Sequence, residues 1–246
     1  MDTFDFSEWL DIPSYALDGK LLATPTFIFN VLQNIADNHV NKYDIGWDFM
    51  HNLNMFWAIS KMDMEISRRP RWREKVKLTT WGKGRNHLIQ PRDYLIETMD
   101  GEVLVRATSN WVILDEEGKP RFLEDIVPGL RFLCENNALD RPAKRLRVPA
   151  QGEASEYKSV EYSSIDMNRH ANNSAYVTWL MDAFSVEYHS AHELTALSVN
   201  YLQQTHYTDR YAVVKQEIAP NDFLVSMFTE KDNREVCRLQ AAFREV

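Results

Sequence analysis

The chain has 246 residues, 44% of them hydrophobic and 26% charged, enough to bury a sizeable core and to exclude disorder as the main state. At about 150 residues per domain it is one large domain or two small fused ones. With 28 basic against 36 acidic residues the net charge is −8, which weighs against a general nucleic-acid binder.

The N-terminus, MDTFDFSEWLDIPSY, is acidic and lacks the basic region and apolar core of a signal peptide. No stretch approaches the roughly 18 consecutive apolar residues of a membrane span. A cytoplasmic protein without membrane insertion is expected. Thr24 caps a helix that Pro25 opens, and Ile28, Leu32, Ile35, Ala36, His39 and Val40 carry it to about Lys42. Strands are expected at 54–66, 75–81, 87–98 and 103–114, with Asp100-Gly101 as the turn between the last two. Residues 115–156 hold Pro120, Pro128, Pro142 and Pro149 and read as a connection crossing the surface. A short strand follows at 157–162. Asn172-Asn173-Ser174 then caps a helix striped by Tyr176, Trp179, Leu180, Ala183 and Phe184. Strands return at 196–201, 210–218, 223–229 and 236–243, with Asp232-Asn233 as a hairpin turn.

The second half therefore repeats the first. Ile66 through Val76 lies against Tyr201 through Tyr211, each with a strand end, a polar crossover and an acid–base pair opening the next strand. Two copies of a helix followed by four strands indicate a duplicated domain. The economical packing wraps each antiparallel sheet around its helix, an α+β architecture.

The densest polar constellation is Asp166-Met167-Asn168-Arg169-His170-Ala171-Asn172-Asn173, just before the second helix. Alternation puts Asp166, Asn168 and His170 on one side. A carboxylate, an amide and an imidazole beside a helix start are the parts for acid–base work and oxyanion stabilisation in acyl transfer. An ordinary loop with an Asn/Ser cap reads equally well from chemistry alone. Other motifs are weaker. There is no G-x-S-x-G elbow, Gly82-Lys83-Gly84 lacks a third glycine, and His189-x-x-His192-Glu193 matches no zinc motif. Two cysteines, Cys134 and Cys237, make neither a disulfide framework nor a four-cysteine site and read as inert thiols. No cofactor or metal is expected. The basic cluster Arg68-Arg69-Pro70-Arg71-Trp72-Arg73, with Lys75, Lys83, Arg85 and the run 144–147, is either a solvated crossover or a docking patch for an acidic partner. Phe27, Phe29, Trp47, Phe49, Met50, Phe56 and Trp57 are mostly core, with a minority free to line an apolar tunnel.

Three motifs in order resemble the acyl-acyl-carrier-protein (acyl-ACP) thioesterases over nearly the whole chain. Residues 165–173 with Tyr176 and Trp179 resemble that family's D-x-N-x-H-x-N-N…Y…W signature. Residues 106–112 resemble its R-A-x-S-x-W-V strand. Phe56-Trp57 through Trp72 resembles its W-x-x-x-R…P-x-W stretch, with Lys61 in place of the arginine. The resemblance implies a double hotdog: a first repeat over 1–134 that shapes an acyl tunnel, a connection over 135–156, and a catalytic repeat over 157–246. It implies hydrolysis of the thioester of fatty acyl-ACP, with Asp166, Asn168 and His170 catalytic and the amides near 172–174 holding the oxyanion. Trp57 and Ile59 are expected in the tunnel, and Arg71 and Arg73 are expected to dock acyl carrier protein. A homodimer stays open. Where members often carry Glu-Cys, this chain has Gln204-Thr205, so neither a cysteine nucleophile nor a carboxylate base stands there. Gln204 is kept as a positioning residue. An acyl-CoA thioesterase and a non-catalytic acyl-binding module are the alternatives.

Overall fold

The computed structural model describes residues 2–3, 5–84, 88–132 and 134–246. His87 and Arg85, both used above, lie outside the described residues. Cα proximity divides the chain into two compact units, Met1–Thr24 with Asn30–Ala143, and Pro25–Phe29 with Lys144–Val246.

The first unit contains β1 (Asp2–Thr3), β2 (Phe6–Asp11), most of α1 (Pro25–Asn41), α2 (Trp47–Asn52), β3 (Met55–Ile66), β4 (Lys75–Gly82), β5 (Gln90–Thr98) and β6 (Val103–Asp115). It continues through β7 (Pro120–Arg121), α3 (Leu123–Ile126) and β8 (Arg131–Phe132). Its main sheet runs β2-β4-β5-β6-β3, antiparallel throughout, with β7 beside β6; β1 pairs with β8. α1 starts at Pro25 as expected and buries Leu32, Ile35, Ala36, His39 and Val40, the stripe that its spacing gives. The Asp100-Gly101 turn is in place, with Gly101 at φ 84° and its N–H on the Thr98 carbonyl. β2 and α2 had no sequence signal. β2 is a half-exposed edge strand without alternation, and α2 is under two turns long.

The second unit contains β9 (Lys158–Ser159), α4 (Asn173–Met181), α5 (Val186–Ala191), β10 (His192–Tyr201), β11 (Arg210–Ala219), β12 (Asp222–Thr229) and β13 (Glu235–Glu245). Its sheet order, β9-β11-β12-β13-β10, is that of the first unit element for element. The expected long second helix is split. α4 ends at Met181, and Ser185 starts α5 by accepting the Tyr188 N–H. Ala183 and Phe184 thus lie beyond α4, although Phe184 is buried among Tyr188, Phe223 and Phe243.

The stretch 115–156 is not a loose surface connection. Leu123, Leu130 and Phe132 join Val40, Ile45, Met50 and Ile113 in one apolar cluster of the first unit, each burial contributing about 1.5–3 kcal/mol. Asp93 accepts the Ala138 N–H at 2.7 Å, and the Trp81 indole donates to the Asn136 carbonyl at 2.8 Å. In the second unit Asn200 bonds both Leu146 N and Lys144 O, Arg238 donates to Leu146 O, and Ser226 accepts Ala150 N. These polar side chains bond backbone groups of the segment between β8 and β9.

Candidate active site

The loop before α4 is set by backbone bonds. Residues Tyr162–Ser164 form a 3-10 turn, and Ile165 bridges Ala171. Asp166 N donates to the His170 carbonyl at 2.9 Å. Arg169 takes φ 64°, which lets its N–H return to the Asp166 carbonyl at 3.0 Å. Asp166 Oδ1 then accepts the N–H of Asn168 at 2.8 Å and of His170 at 3.4 Å. Ala171 N donates to the Thr205 carbonyl at 2.7 Å, tying the loop to the turn that follows β10. Asn172 caps α4 by accepting Ser174 N and Ser174 Oγ. The structure therefore brings Asp166, Asn168 and His170 together on one tight loop.

The expectation that amides 172–174 hold an oxyanion fails for two of the three. Asn172 N is taken by the Ser164 carbonyl and Ser174 N by the Asn172 side chain. The aromatic members of the signature are supports: Tyr176 shares a 2.6 Å hydrogen bond with Thr205 Oγ1, and the Tyr201 hydroxyl donates to the Asn173 carbonyl at 2.8 Å. Trp179 stacks on Tyr211 with centroids 4.0 Å apart. Gln204 is exposed, whereas Thr205 is fully buried and spends its hydroxyl on Tyr176.

The His170 ring is half-buried and faces His206 edge on, with centroids 4.9 Å apart. Burial, then the neighbouring His206, pushes the His170 pKa down; Asp166 pulls it up more weakly. His170 is thus disposed to be neutral and able to accept a proton near pH 7. The sequence carries no signal for His206, which lies 36 positions from His170 and is brought to it by tertiary contacts such as the Ala171–Thr205 bond.

The first unit repeats this loop with different chemistry. Ser14–Ala16 is the 3-10 turn, Leu17 bridges Ala23, and Leu21 takes φ 59°. Asp18 N donates to the Leu22 carbonyl, and Asp18 Oδ1 accepts Lys20 N at 2.9 Å and Leu22 N at 3.3 Å. Ala23 N donates to the Pro70 carbonyl, as Ala171 does to Thr205. Leu22 thus stands where His170 stands, Lys20 where Asn168 stands, and Arg69 where Gln204 stands. Arg69, 6% exposed, pairs with Asp18 Oδ2 at 2.5 Å and also donates to the Ala23 carbonyl. The backbone of the site and its carboxylate are duplicated; the amide and the imidazole are not.

A pocket partly open to solvent lies in the first unit between α1 and the sheet. Trp57, Trp111, Val40 and Phe132 give it apolar walls, and Gln90 and Arg92 add polar ones. Trp57 is anchored by its indole N–H on the Ile45 carbonyl, and Trp111 by Tyr94 and Ser109. Ile59 is buried but does not line the pocket. The basic cluster is sorted by partner: Arg68 is bonded to Glu74 and Glu102, Arg69 to Asp18, and Lys83 to Asp93. Arg71 and Arg73 are exposed, Arg73 lying 4.3 Å over the Trp72 ring. His189 and His192 bond the Met181 and Tyr188 carbonyls. Among the described residues no group of three or more His, Cys, Asp or Glu could hold a metal, and no helix is long and apolar enough to cross a membrane.

The fold has close counterparts among solved structures. An acyl-ACP thioesterase from Bacteroides thetaiotaomicron superposes with a TM-score of 0.87 at 22% identity, covering 98% of both chains. The 12:0-ACP thioesterase from Umbellularia californica gives 0.87 at 19%, also covering 98% of both. With one strand order in both units, each bearing the same loop at its helix start, the chain has a double-hotdog fold. The family models for the acyl-ACP thioesterase N-terminal and C-terminal domains match residues 4–128 and 147–245, and the chain belongs to that family. The Arabidopsis thaliana oleoyl-acyl carrier protein thioesterase 2, a chloroplastic protein, is 28% identical over 93% of this chain and 67% of its own length. Other plant relatives are longer; the chain spans 52% of a Gossypium hirsutum palmitoyl-acyl carrier protein thioesterase.

Proposed function

We propose that the second unit hydrolyses fatty acyl-ACP with His170 as general base. Water attacks the thioester carbonyl while the imidazole takes its proton. Asp166 fixes the loop and favours the imidazolium that forms. The Asn168 carboxamide donates to the carbonyl oxygen as charge develops there. Gln204 positions the water as an amide donor and acceptor. The first unit, residues 1–134 of the first repeat, receives the acyl chain in the pocket bounded by Trp57, with Ile59 behind the wall. Arg71 and Arg73 offer charge to an acidic carrier protein. Residues 135–156 connect the two repeats, and 157–246 carry the chemistry. A cytoplasmic setting and a homodimer belong to the same reading. The observation that carries it is the Asp166–His170 loop, whose counterpart around Asp18 has the same backbone and carboxylate but neither the amide nor the imidazole.

The test is free-thiol release from acyl-ACP thioesters, with matched acyl-CoA esters beside them. Turnover that prefers the carrier form and is lost in His170→Ala supports the reading. Tight acyl binding without turnover replaces it with a sensing role.

A further inference from the structure

Hydrolysis at His170 leaves two proton tasks open. The imidazolium must be discharged before the next turnover, and the departing sulfur needs a proton. Asp166 already holds two backbone amides, and Gln204 has no proton to exchange. The ring that faces His170 is His206, at a 78° interplanar angle. Its turn is tied to the loop by the bond between Ala171 and Thr205, the immediate neighbours of the two histidines. Asp209 holds this turn and stands beside the ring: its Oδ2 accepts the His206 backbone N–H at 2.8 Å and lies 3.7 Å from His206 Nδ1, while Asp209 N donates to the His206 carbonyl. The His206 side chain is 58% exposed, open to substrate and solvent.

We propose that His206, oriented by Asp209, is the proton relay of this site, giving a proton to the departing sulfur and recovering one from His170. The inference rests on the hydrolase reading above. An O–H bond of water breaks as its oxygen bonds the carbonyl carbon, and that proton goes to His170. The C–S bond then breaks with its electron pair on sulfur, which takes a proton from His206. The His170 proton passes to His206 through solvent. The acid product releases its own proton to bulk water, so one thioester and one water give one acid and one thiol. The neighbouring His206 ring disfavours a proton on His170, which suits discharge of the imidazolium.

The experiment compares wild type, His206→Ala and His206→Asn on two thioesters of one acyl chain. One is the acyl-ACP thioester and the other a nitrothiophenyl thioester, whose sulfur leaves without a proton. Thermal melts check that both variants fold. The relay predicts that each variant loses about a hundredfold in kcat on acyl-ACP and less than about threefold on the aryl thioester. Equal loss on both thioesters overturns it, because a merely structural role does not depend on the leaving group. Wild-type turnover in His206→Asn overturns it too, since the amide keeps a contact with Asp209 but carries no titratable proton. Wild type that hydrolyses neither thioester overturns the hydrolase reading and the relay together. An active wild type with an unaffected His206→Ala overturns the relay alone.

Discussion

The duplicated loop offers an internal control for Asp166. Asp166→Ala removes an acceptor from two amides, at 2.8 and 3.4 Å, which costs about 1.5 kcal/mol. That is a fall of about 3–6 °C in Tm for a chain of this size. Asp166→Asn keeps the Oδ1 acceptor and removes only the charge, so its Tm stays within about 1–2 °C while kcat falls about a hundredfold. Asp18 makes the same two bonds and also pairs with Arg69, which is 6% exposed. Asp18→Ala therefore leaves a nearly buried guanidinium without its carboxylate and costs about 3 kcal/mol or more, at least twice the loss at Asp166, with kcat unchanged within about twofold. Thiol release and thermal melts on the four variants, Ala and Asn at each position, read both quantities. Equal loss of turnover at Asp18 and Asp166, or wild-type turnover in Asp166→Asn, would refute the assignment of the chemistry to the second loop.

Other outcomes follow from the same geometry. His170 works as a base only when unprotonated. Burial and His206 disfavour its protonated form, so turnover persists below the ordinary histidine midpoint of about 6.5; an acid limb of kcat/KM centred at or above that value contradicts it. Arg71→Glu with Arg73→Glu raises KM for acyl-ACP about tenfold and leaves acyl-CoA within about threefold; an equal rise on both substrates removes the carrier-docking role. Ala36→Phe places a ring from α1 into the pocket beside Val40 and Trp57, and so shortens the preferred acyl chain. An unchanged chain-length profile in a folded Ala36→Phe protein detaches that pocket from substrate binding.

Much of the sheet was legible because strands announce themselves by alternation and turns by Asp-Gly and Asp-Asn. The strand ends Ile66 and Tyr201, and the strand starts Lys75 and Arg210, lie where the sequence repeat put them. The duplicated loop was not legible. Asp18 and Asp166 are 148 residues apart while the strand ends keep an offset of 135, because α1 has 17 residues against nine in α4 and the connections and β3 that follow are also longer than their counterparts. A single offset loses the register across helices of unequal length. The loop is also specified by backbone bonds, one acceptor carboxylate and one residue at positive φ, so Leu21 and Arg169 can fill one role. The burial of Leu123, Leu130 and Phe132 has no sequence signal for a related reason: isolated apolar residues among prolines have no period to detect.

Arg69 and Gln204 occupy one position in the two units, three residues beyond the end of β3 and of β10. The residue there decides whether the loop carboxylate is engaged. In the first unit Arg69 takes Asp18 Oδ2; in the second an amide side chain stands exposed instead. Gln204→Arg should therefore convert the working loop into a copy of the silent one. A guanidinium on Asp166 withdraws the charge that favours the His170 imidazolium, so kcat falls about a hundredfold or more. The new pair is solvent-facing and adds at most about 1 kcal/mol, a rise of roughly 2–4 °C in Tm. Gln204→Met lacks the charge and retains turnover within about tenfold, since it removes only the positioning of water. If Gln204→Arg retains wild-type turnover, the Asp166 carboxylate does no electrostatic work on His170, and Arg69 is not what silences the first loop.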